Sequence, residues 1–515
     1  MKVNKIVKVF LLSGGLVGMS ISCTDLDVKV YDRVVDFWRT EEEIAAGVAP
    51  AYSGLRKITN PFALYSLNEV TTDEIIVPNR ITDWADDVIW EQLWKHTWQP
   101  GLPIIEQAWL DIYSGIVGIN QILTAVGQIN PAPSDLVAIE AELKTVRAYY
   151  YFLALDLFGN VPIVETSTKD PTSLTNKSRP EVFAYIEKEL KDNIQALSTE
   201  VNPKTYGRAT QWFAHTILAK LYLNATMYSG SARWADCITS CEAILNSGNY
   251  FLENDFFSNF KVNNEGSREN IFVIPYDRVA GLNFFFIQAL TFHYNSPETF
   301  GVQSFAFNGF CSTAEYYNLF DANDLRRKMF LVGQQYKNQI VSPVNLQYDR
   351  LGNLLIFDPV ITTFIVQAPK TETAGARCAK WEFNKEGGGP MSNDFAVYRL
   401  ADVVLMMAEA QFRNGNTAEA LLTINQKFNG VSIRSRTGLP DFSAAEMNLD
   451  GLLAERAREL SWEGHRRNDM IRLGHFTDAR IPEKNISENF RTLFPIPRSV
   501  MENNKNLKQN PGYPQ

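Results

Sequence analysis

The sequence predicts a mostly α-helical chain, a scaffold of helical hairpins carrying one large loop-rich insertion that contains short strands. Three observations predict it. Apolar residues recur in alternating steps of four and three along several runs. Glycines and polar caps cut those runs into pairs. Residues 251–390 lose the helical period and gain Gly, Pro and aromatics.

Residues 1–22 form a secretory signal, with Lys2, Lys5 and Lys8 ahead of an apolar run from Val9 to Val17. It is too short to span a bilayer as a helix. In the first strong helix, Ile139, Leu143, Val146, Tyr150, Leu153 and Leu157 line one face, and Gly159 followed by Val161-Pro162 stops it. Residues 209–229 and 233–248 make a second pair, broken at Ser229-Gly230-Ser231. Residues 398–415 and 416–428 make a third, with Gly415 closing one helix and Asn416 with Glu419 opening the next as a capping box. Small Ala beside large aromatics at helical spacing gives these hairpins the look of tetratricopeptide units, though they are not tandem. Within the insertion, "IFVIPY", "LLIFDPV" and "ITTFIVQ" read as short strands.

Composition narrows the function. The 515 residues are 45% apolar and 21% charged, with formal charge −9, and −12 without residues 1–22. An acidic chain lacks the clustered Lys and Arg that phosphate backbones demand, so nucleic acid is not expected as a partner. No phosphate-binding glycine loop is present, and neither His465 nor His475 sits in a zinc-binding spacing, so no cofactor and no metal are expected. Cys237, Cys241, Cys311 and Cys378 read as small buried residues without disulfides.

Two dense stretches invite functional readings. In "DWADDVIWEQLWKHTW", Trp90, Trp94 and Trp98 share one side of a helix that Gln99-Pro100-Gly101 ends, so they are expected in the core. Trp84 lies outside that stripe in a loop and is a ligand candidate. "LLAERARELSWEGHRRNDMIRLGHF" (residues 452–476) packs Glu455, Arg456, Arg458, Glu459, Glu463, His465, Arg466, Arg467 and Asp469 into one expected helix, with Gly464 allowing close helix approach. Pairs such as Glu463 with Arg466 or Arg467 suggest an ion-pair network rather than catalysis.

At this point the chain resembles the SusD/RagB family of outer-membrane nutrient-binding lipoproteins. The likeness lies in residues 147–164, 397–416, 452–474 and 494–513, supported by residues 109–123 and by "CTDLD" at Cys23. The resemblance implies a signal peptide at 1–22 and a single domain at 23–515. Its helical scaffold would occupy about 40–250 and 391–480, its insertion about 251–390 and its tail 481–515. It implies lipidation of Cys23, exposure at the cell surface and partnership with a SusC-like TonB-dependent transporter, over which the lipoprotein sits as a lid. "MSISC" resembles a lipobox, with Ser20 in place of the usual Leu.

The family's starch-binding members place aromatics after a "TDE" segment, here Thr72-Asp73-Glu74. The next positions, Val77, Pro78 and Asn79, are not aromatic, and Trp84 is the first that is. Sugars present apolar faces edged by hydroxyls, so a platform flanked by Asn, Asp or Arg suits them. Asn79, Arg80, Asp83 and Trp84 supply that inventory, and Tyr294, Asn295, Phe307 and Asn308 are the candidates from the insertion. Trp381 is a further aromatic of the same kind, and Gly387-Gly388-Gly389 reads as a mobile loop. The expected function is capture of oligosaccharides without catalysis. A peptide-binding RagB-like role, a surface glycoside hydrolase and a structural lid are the alternatives.

Overall fold

The computed structural model describes residues 40–85, 88–129, 132, 135–166, 170–280, 286–385 and 391–515. The signal segment, Cys23 and Gly387–Gly389 lie outside them. The chain enters through α1 (Glu41–Ser53), where Thr40 and Glu43 form a reciprocal capping box, and passes into a 3₁₀ turn over Gly54–Thr59. Then come α2 (Leu64–Glu69), α3 (Ile89–Lys95), α4 (Pro103–Val126), α5 (Leu136–Phe158), α6 (Arg179–Asn193), α7 (Gln211–Leu223), α8 (Ala225–Ser229) and α9 (Trp234–Leu245). α4 packs on α5, α5 on α6, and α7 on α9, the hairpin stacking expected from the periodicity. α5 is the hub, buried on all sides through its second half. Its Tyr150 ring lies so close to α4 that a Cβ at Gly115 would come within 2.3 Å of it, so only glycine fits there.

The insertion opens with β1 (Asn270–Ile274), continues through the short helices α10 (Ile287–Thr291), α11 (Ser296–Phe300) and α12 (Ala314–Tyr317), and carries four two-residue strands. These are β2 (Phe330–Leu331), β3 (Gly333–Gln334), β4 (Ile356–Phe357) and β5 (Arg377–Cys378), pairing antiparallel as β2–β5 and β3–β4. β1 pairs antiparallel with β6 (Phe395–Arg399), Val273 opposite Ala396, so entry and exit of the insertion are joined. The stretch 361–367 forms no strand of its own: it makes one isolated bridge, Ile365 with Asn79. Beyond β6 lie α13 (Leu400–Arg413), packed on α9, and α14 (Thr417–Ile424). Gly415 follows α13 with positive φ as expected, but Asn416 makes no side-chain cap. Four cysteines, Cys237, Cys241, Cys311 and Cys378, are free and buried. Among the described residues no helix is long and apolar enough to cross a membrane.

The charged run at 452–476 is two helices, not one: α15 (Leu449–Glu459) and α16 (Arg466–Leu473), separated at 460–465. Trp462 and Gly464 both take positive φ there. Gly464 is therefore needed for its backbone angle and not for close approach, since a Cβ on it would meet nothing within 4 Å. The break also reroutes the ion pairs. Glu463 bonds Arg399 and Lys380, while Arg466 reaches Asp73 and Arg467 reaches Asp156. Arg399 also meets Glu269 and Glu459, which are shared with Arg436. Arg456 binds Asp402 and Asp469. Apart from half-buried Asp73 these groups are buried, and the network stitches α13, α15 and α16 to the start of β1. Burial alone would raise the Glu269 carboxyl, but Arg436 and Arg399 hold it down at about 2.

The last helix, α17 (Arg498–Asn503), leads into a tail that folds back on the hub. Asn510 donates to the Phe158 and Phe494 carbonyls, and Trp98 Nε1–H donates to the Tyr513 hydroxyl. Trp90, Trp94 and Trp98 are buried as expected. The helix beneath them ends earlier than the sequence suggests, because His96 takes a left-handed backbone and terminates α3.

Candidate functional site

The 69–84 segment is laid down by two buried carboxylates. Glu69 accepts the Gly464 backbone N–H and Glu74 that of Trp462, so the segment also caps the break between α15 and α16. Burial raises both carboxyls. Glu74 moves to about 7, and Glu69, close to the Glu74 charge, rises well above its usual range. Arg466 and Asp73 face the pair, and Tyr65, Tyr316, Cys378 and Glu463 lie close by. A carboxyl raised in the folded state contributes stability below its unfolded pKa and loses it as pH rises through the folded one. Glu74→Gln is therefore expected to gain stability relative to the unmodified chain between pH 5 and pH 8, read as a shallower fall in urea midpoint. A constant difference across that range would refute the assignment.

From Glu74 the chain runs beside residues 311–312 and then 364–366. Ile76 exchanges backbone hydrogen bonds with Cys311, at 2.8 and 3.0 Å. Asn79 N–H donates to the Phe364 carbonyl at 3.0 Å and its own carbonyl accepts from Val366 at 2.9 Å. The loop then turns sharply, with Ile81 and Trp84 both at positive φ. For a β-branched residue this is a strained conformation, of the kind the surroundings must enforce. Arg350 enforces it from outside. It bonds Asp83 and Glu372, with its guanidinium 3.5 Å from the Tyr294 ring centroid, while Glu372 also meets buried His293.

Trp84 is half-buried and leans on Trp90 and Phe310, ring centroids at 5.6 and 6.0 Å. Its Nε1–H donates to the Phe307 carbonyl at 2.6 Å, which the Tyr294 hydroxyl also reaches at 3.1 Å. The indole lies across Gly309, where a Cβ would come within 2.4 Å of it. One wall of a cavity of about 670 Å³ results, in the size range of small-molecule sites. Trp84, Phe62, Phe286, Phe305, Phe307 and Leu290 give it an apolar lining, and Ser53, Arg56, Lys57 and Asn60 add polar groups. Phe62, Phe305 and Phe307 are exposed, although they are large and apolar.

Of the eight residues expected at the site, Trp84 and Phe307 line this cavity. Asp83 and Tyr294 stand behind Trp84 in the Arg350 cluster, and Asn79 accepts the Ile81 N–H through its side chain. Asn295 donates to the Tyr348 carbonyl. Arg80 and Asn308 do not fit direct ligand contact, because both are buried and bonded to the framework. Arg80 donates to the Thr371 and Ala374 carbonyls, and Asn308 accepts from Arg377 and donates to the Glu372 carbonyl. Trp381 is likewise buried. Sequence reasoning missed Arg56, Asn60 and Phe62. The usable signal was Asn60-Pro61-Phe62, a turn that presents an aromatic immediately after a helix. Among the described residues no cluster of His, Cys, Asp or Glu is arranged to hold a metal ion.

Residues 269–513 match a family model described as the SusD family. Residues 26–223 match a SusD-like model described as starch-binding, associating with outer membrane. The starch-binding protein SusD of Bacteroides thetaiotaomicron is 24% identical, over 87% of this chain and 85% of its own. SusD-like protein P38 of Formosa agariphila is 23% identical over 96% and 97%. Among solved structures, surface glycan-binding protein A from Bacteroides thetaiotaomicron, in complex with laminarihexaose, superposes with a TM-score of 0.73. It is 20% identical, and the match covers 91% of this chain and 99% of that one. Helical scaffold, joined insertion and returning tail are thus the fold of a known group, and the chain belongs to the SusD family.

Proposed function

We propose that the chain is a non-catalytic glycan-binding protein of the outer membrane, which captures oligosaccharides in the aromatic cavity and delivers them to a partner TonB-dependent transporter. In this reading Cys23 carries the lipid anchor and the protein faces outward from the cell. The observation that carries it is the cavity beside Trp84, where exposed aromatic rings meet amide, hydroxyl and cationic groups. Aromatic faces match the C–H faces of sugar rings, and the polar groups answer their hydroxyls. The starch-binding name of the Bacteroides thetaiotaomicron relative supports a glycan over a peptide. Among the described residues that line the cavity there is no Asp or Glu, and glycoside hydrolysis uses a pair of carboxyl groups about 5–10 Å apart, so this lining supports binding over cleavage.

Phe62 offers the cleanest test, because it is 54% exposed and its removal costs the core little. Phe62→Ala is expected to weaken oligosaccharide binding about ten-fold, the effect of one lost stacking ring, with an unchanged melting temperature. Titration calorimetry against the best ligand from a glycan array measures it. A chain that binds no glycan, or a Phe62→Ala variant that binds as before, would overturn the reading.

A further inference from the structure

We propose that the groove selects oligosaccharides bearing an oxyanion on the ring, a carboxylate or a sulfate ester, and that Arg56 recognises that group. This rests on the groove being the glycan site. The cavity beside Trp84 does not end at its polar side. A second cavity, of about 590 Å³, shares Ser53 and Arg56 with it and continues between α1 and the Gly207–Arg208 turn to Ile274 and Pro275. Arg56 therefore stands at the junction of two compartments, each large enough to take part of an oligosaccharide chain.

The charge of this groove runs against that of the whole chain. Formal charge is −9, yet the described residues lining the two cavities include Arg56, Lys57 and Arg208 and no carboxylate. Two of the three cations are already satisfied. Lys57 Nζ sits 3.4 Å from Asp111 and donates to Ser114, and Arg208 makes a two-pronged contact with Glu142 at 2.8 and 3.0 Å. Among the described residues Arg56 has no such partner. Its Nε–H reaches the Pro275 carbonyl only at 3.5 Å, and its terminal nitrogens make no hydrogen bond among the described residues.

That leaves a half-buried guanidinium with its donor fork free, held on a 3₁₀ turn whose Arg56 carbonyl accepts the Thr59 hydroxyl at 3.0 Å. A planar fork of N–H groups matches two oxygens of one carboxylate or sulfate, in the strongest class of hydrogen bond. Neutral sugars ask for something else: every hydroxyl also donates, and the described lining, with cations and no carboxylate, is poor in strong acceptors. An anionic ring substituent between two stacked sugars meets both conditions, since it needs only donors and it neutralises the unpaired charge.

The test titrates the purified protein with size-matched oligosaccharides of three kinds: oligogalacturonides, sulfated galactan fragments, and neutral malto- or laminari-oligosaccharides. Charged oligosaccharides are expected to bind at least about ten-fold tighter than neutral ones, and the tighter charged series shows which oxyanion is read. Arg56→Gln is expected to lose at least about ten-fold more affinity for the charged series than for the neutral one, with Arg56→Lys in between. Raising salt from about 0.05 to 0.5 M weakens the charged series selectively in the unsubstituted protein, a readout independent of how the variants fold. Neutral oligosaccharides binding as tightly as charged ones, or a charge preference that survives Arg56→Gln, would overturn the proposal while leaving glycan capture intact. Absence of binding to all three series would instead overturn glycan capture itself.

Discussion

Arg399→Met is expected to destabilise the fold by about 3–5 kcal/mol, the cost of removing one partner from a buried ion-pair cluster. Arg399 leaves β6 and bonds three carboxylates, Glu269, Glu459 and Glu463, and it donates to the Glu459 carbonyl as well. All are buried, with Phe256 and Phe260 packed over the guanidinium at 5.9 and 5.3 Å. Water cannot take the place of the lost donors. Arg436 and Lys380 remain, but each is already committed to the same carboxylates. The deficit carries a pH signature. Glu269 and Glu463 are held below their usual range by their cations, so their contribution is present at neutral pH and lost as pH falls through those low values. The gap between Arg399→Met and the unmodified chain is therefore expected to narrow in acid, as the stranded carboxylates take up protons. Lys144→Ala, which breaks a half-exposed pair with Glu140 on α5, is expected to cost no more than about 1 kcal/mol. Urea unfolding of both variants at pH 7 and pH 4 checks this. Equal and small losses at pH 7 would mean that the cluster contributes nothing beyond an ordinary surface pair.

The same cluster explains where sequence reasoning reaches and where it stops. α5, α7, α9 and α13 were legible because their buried faces repeat at the helical period, and that period is a property of neighbouring residues. Local counting gave the wrong partners for Glu463, Arg466 and Arg467 for the same reason. It sees only positions three or four away, whereas the actual partners, Lys380, Arg399, Asp73 and Asp156, lie on other elements. The break at 460–465 was invisible too, because Glu69 and Glu74 take its free N–H groups from the far end of the chain. At the candidate site, the segments were legible and the faces were not. Phe305–Phe310 was the right stretch, but Asn308 turns inward at positive φ to hold Arg377, which leaves Phe305 and Phe307 to line the groove. Arg56 and Phe62 gave no periodic signal at all, since they sit in and just after a 3₁₀ turn.

Trp84 and Trp94 separate these two kinds of residue most sharply. Trp94→Ala is expected to cost about 3–5 kcal/mol of stability, as for any large aromatic cut from a packed core. The ring is 1% exposed, its Nε1–H donates to the Pro482 carbonyl at 2.7 Å, and Arg480 lies over it at 5.2 Å. Trp94 is absent from the cavity lining, so ligand affinity should not change in the fraction that remains folded. The sequence alone suggests the mirror image for Trp84, a loss of binding with no loss of stability. Its surroundings change that expectation. Trp84 is both a wall of the cavity and the buttress that fastens the 79–84 loop to the Phe307 carbonyl, lying across Gly309 and against Trp90. Trp84→Ala is therefore expected to lower both properties, stability by about 1–2 kcal/mol for the hydrogen bond and the half-buried ring. Affinity should fall further than in Phe62→Ala, because the loop that carries the wall loosens with it. Melting curves and oligosaccharide titrations on the three variants decide the matter. Binding that survives Trp84→Ala at full strength would remove the loop from the site, and an unchanged melting temperature would mean that the loop is held by Arg350 alone.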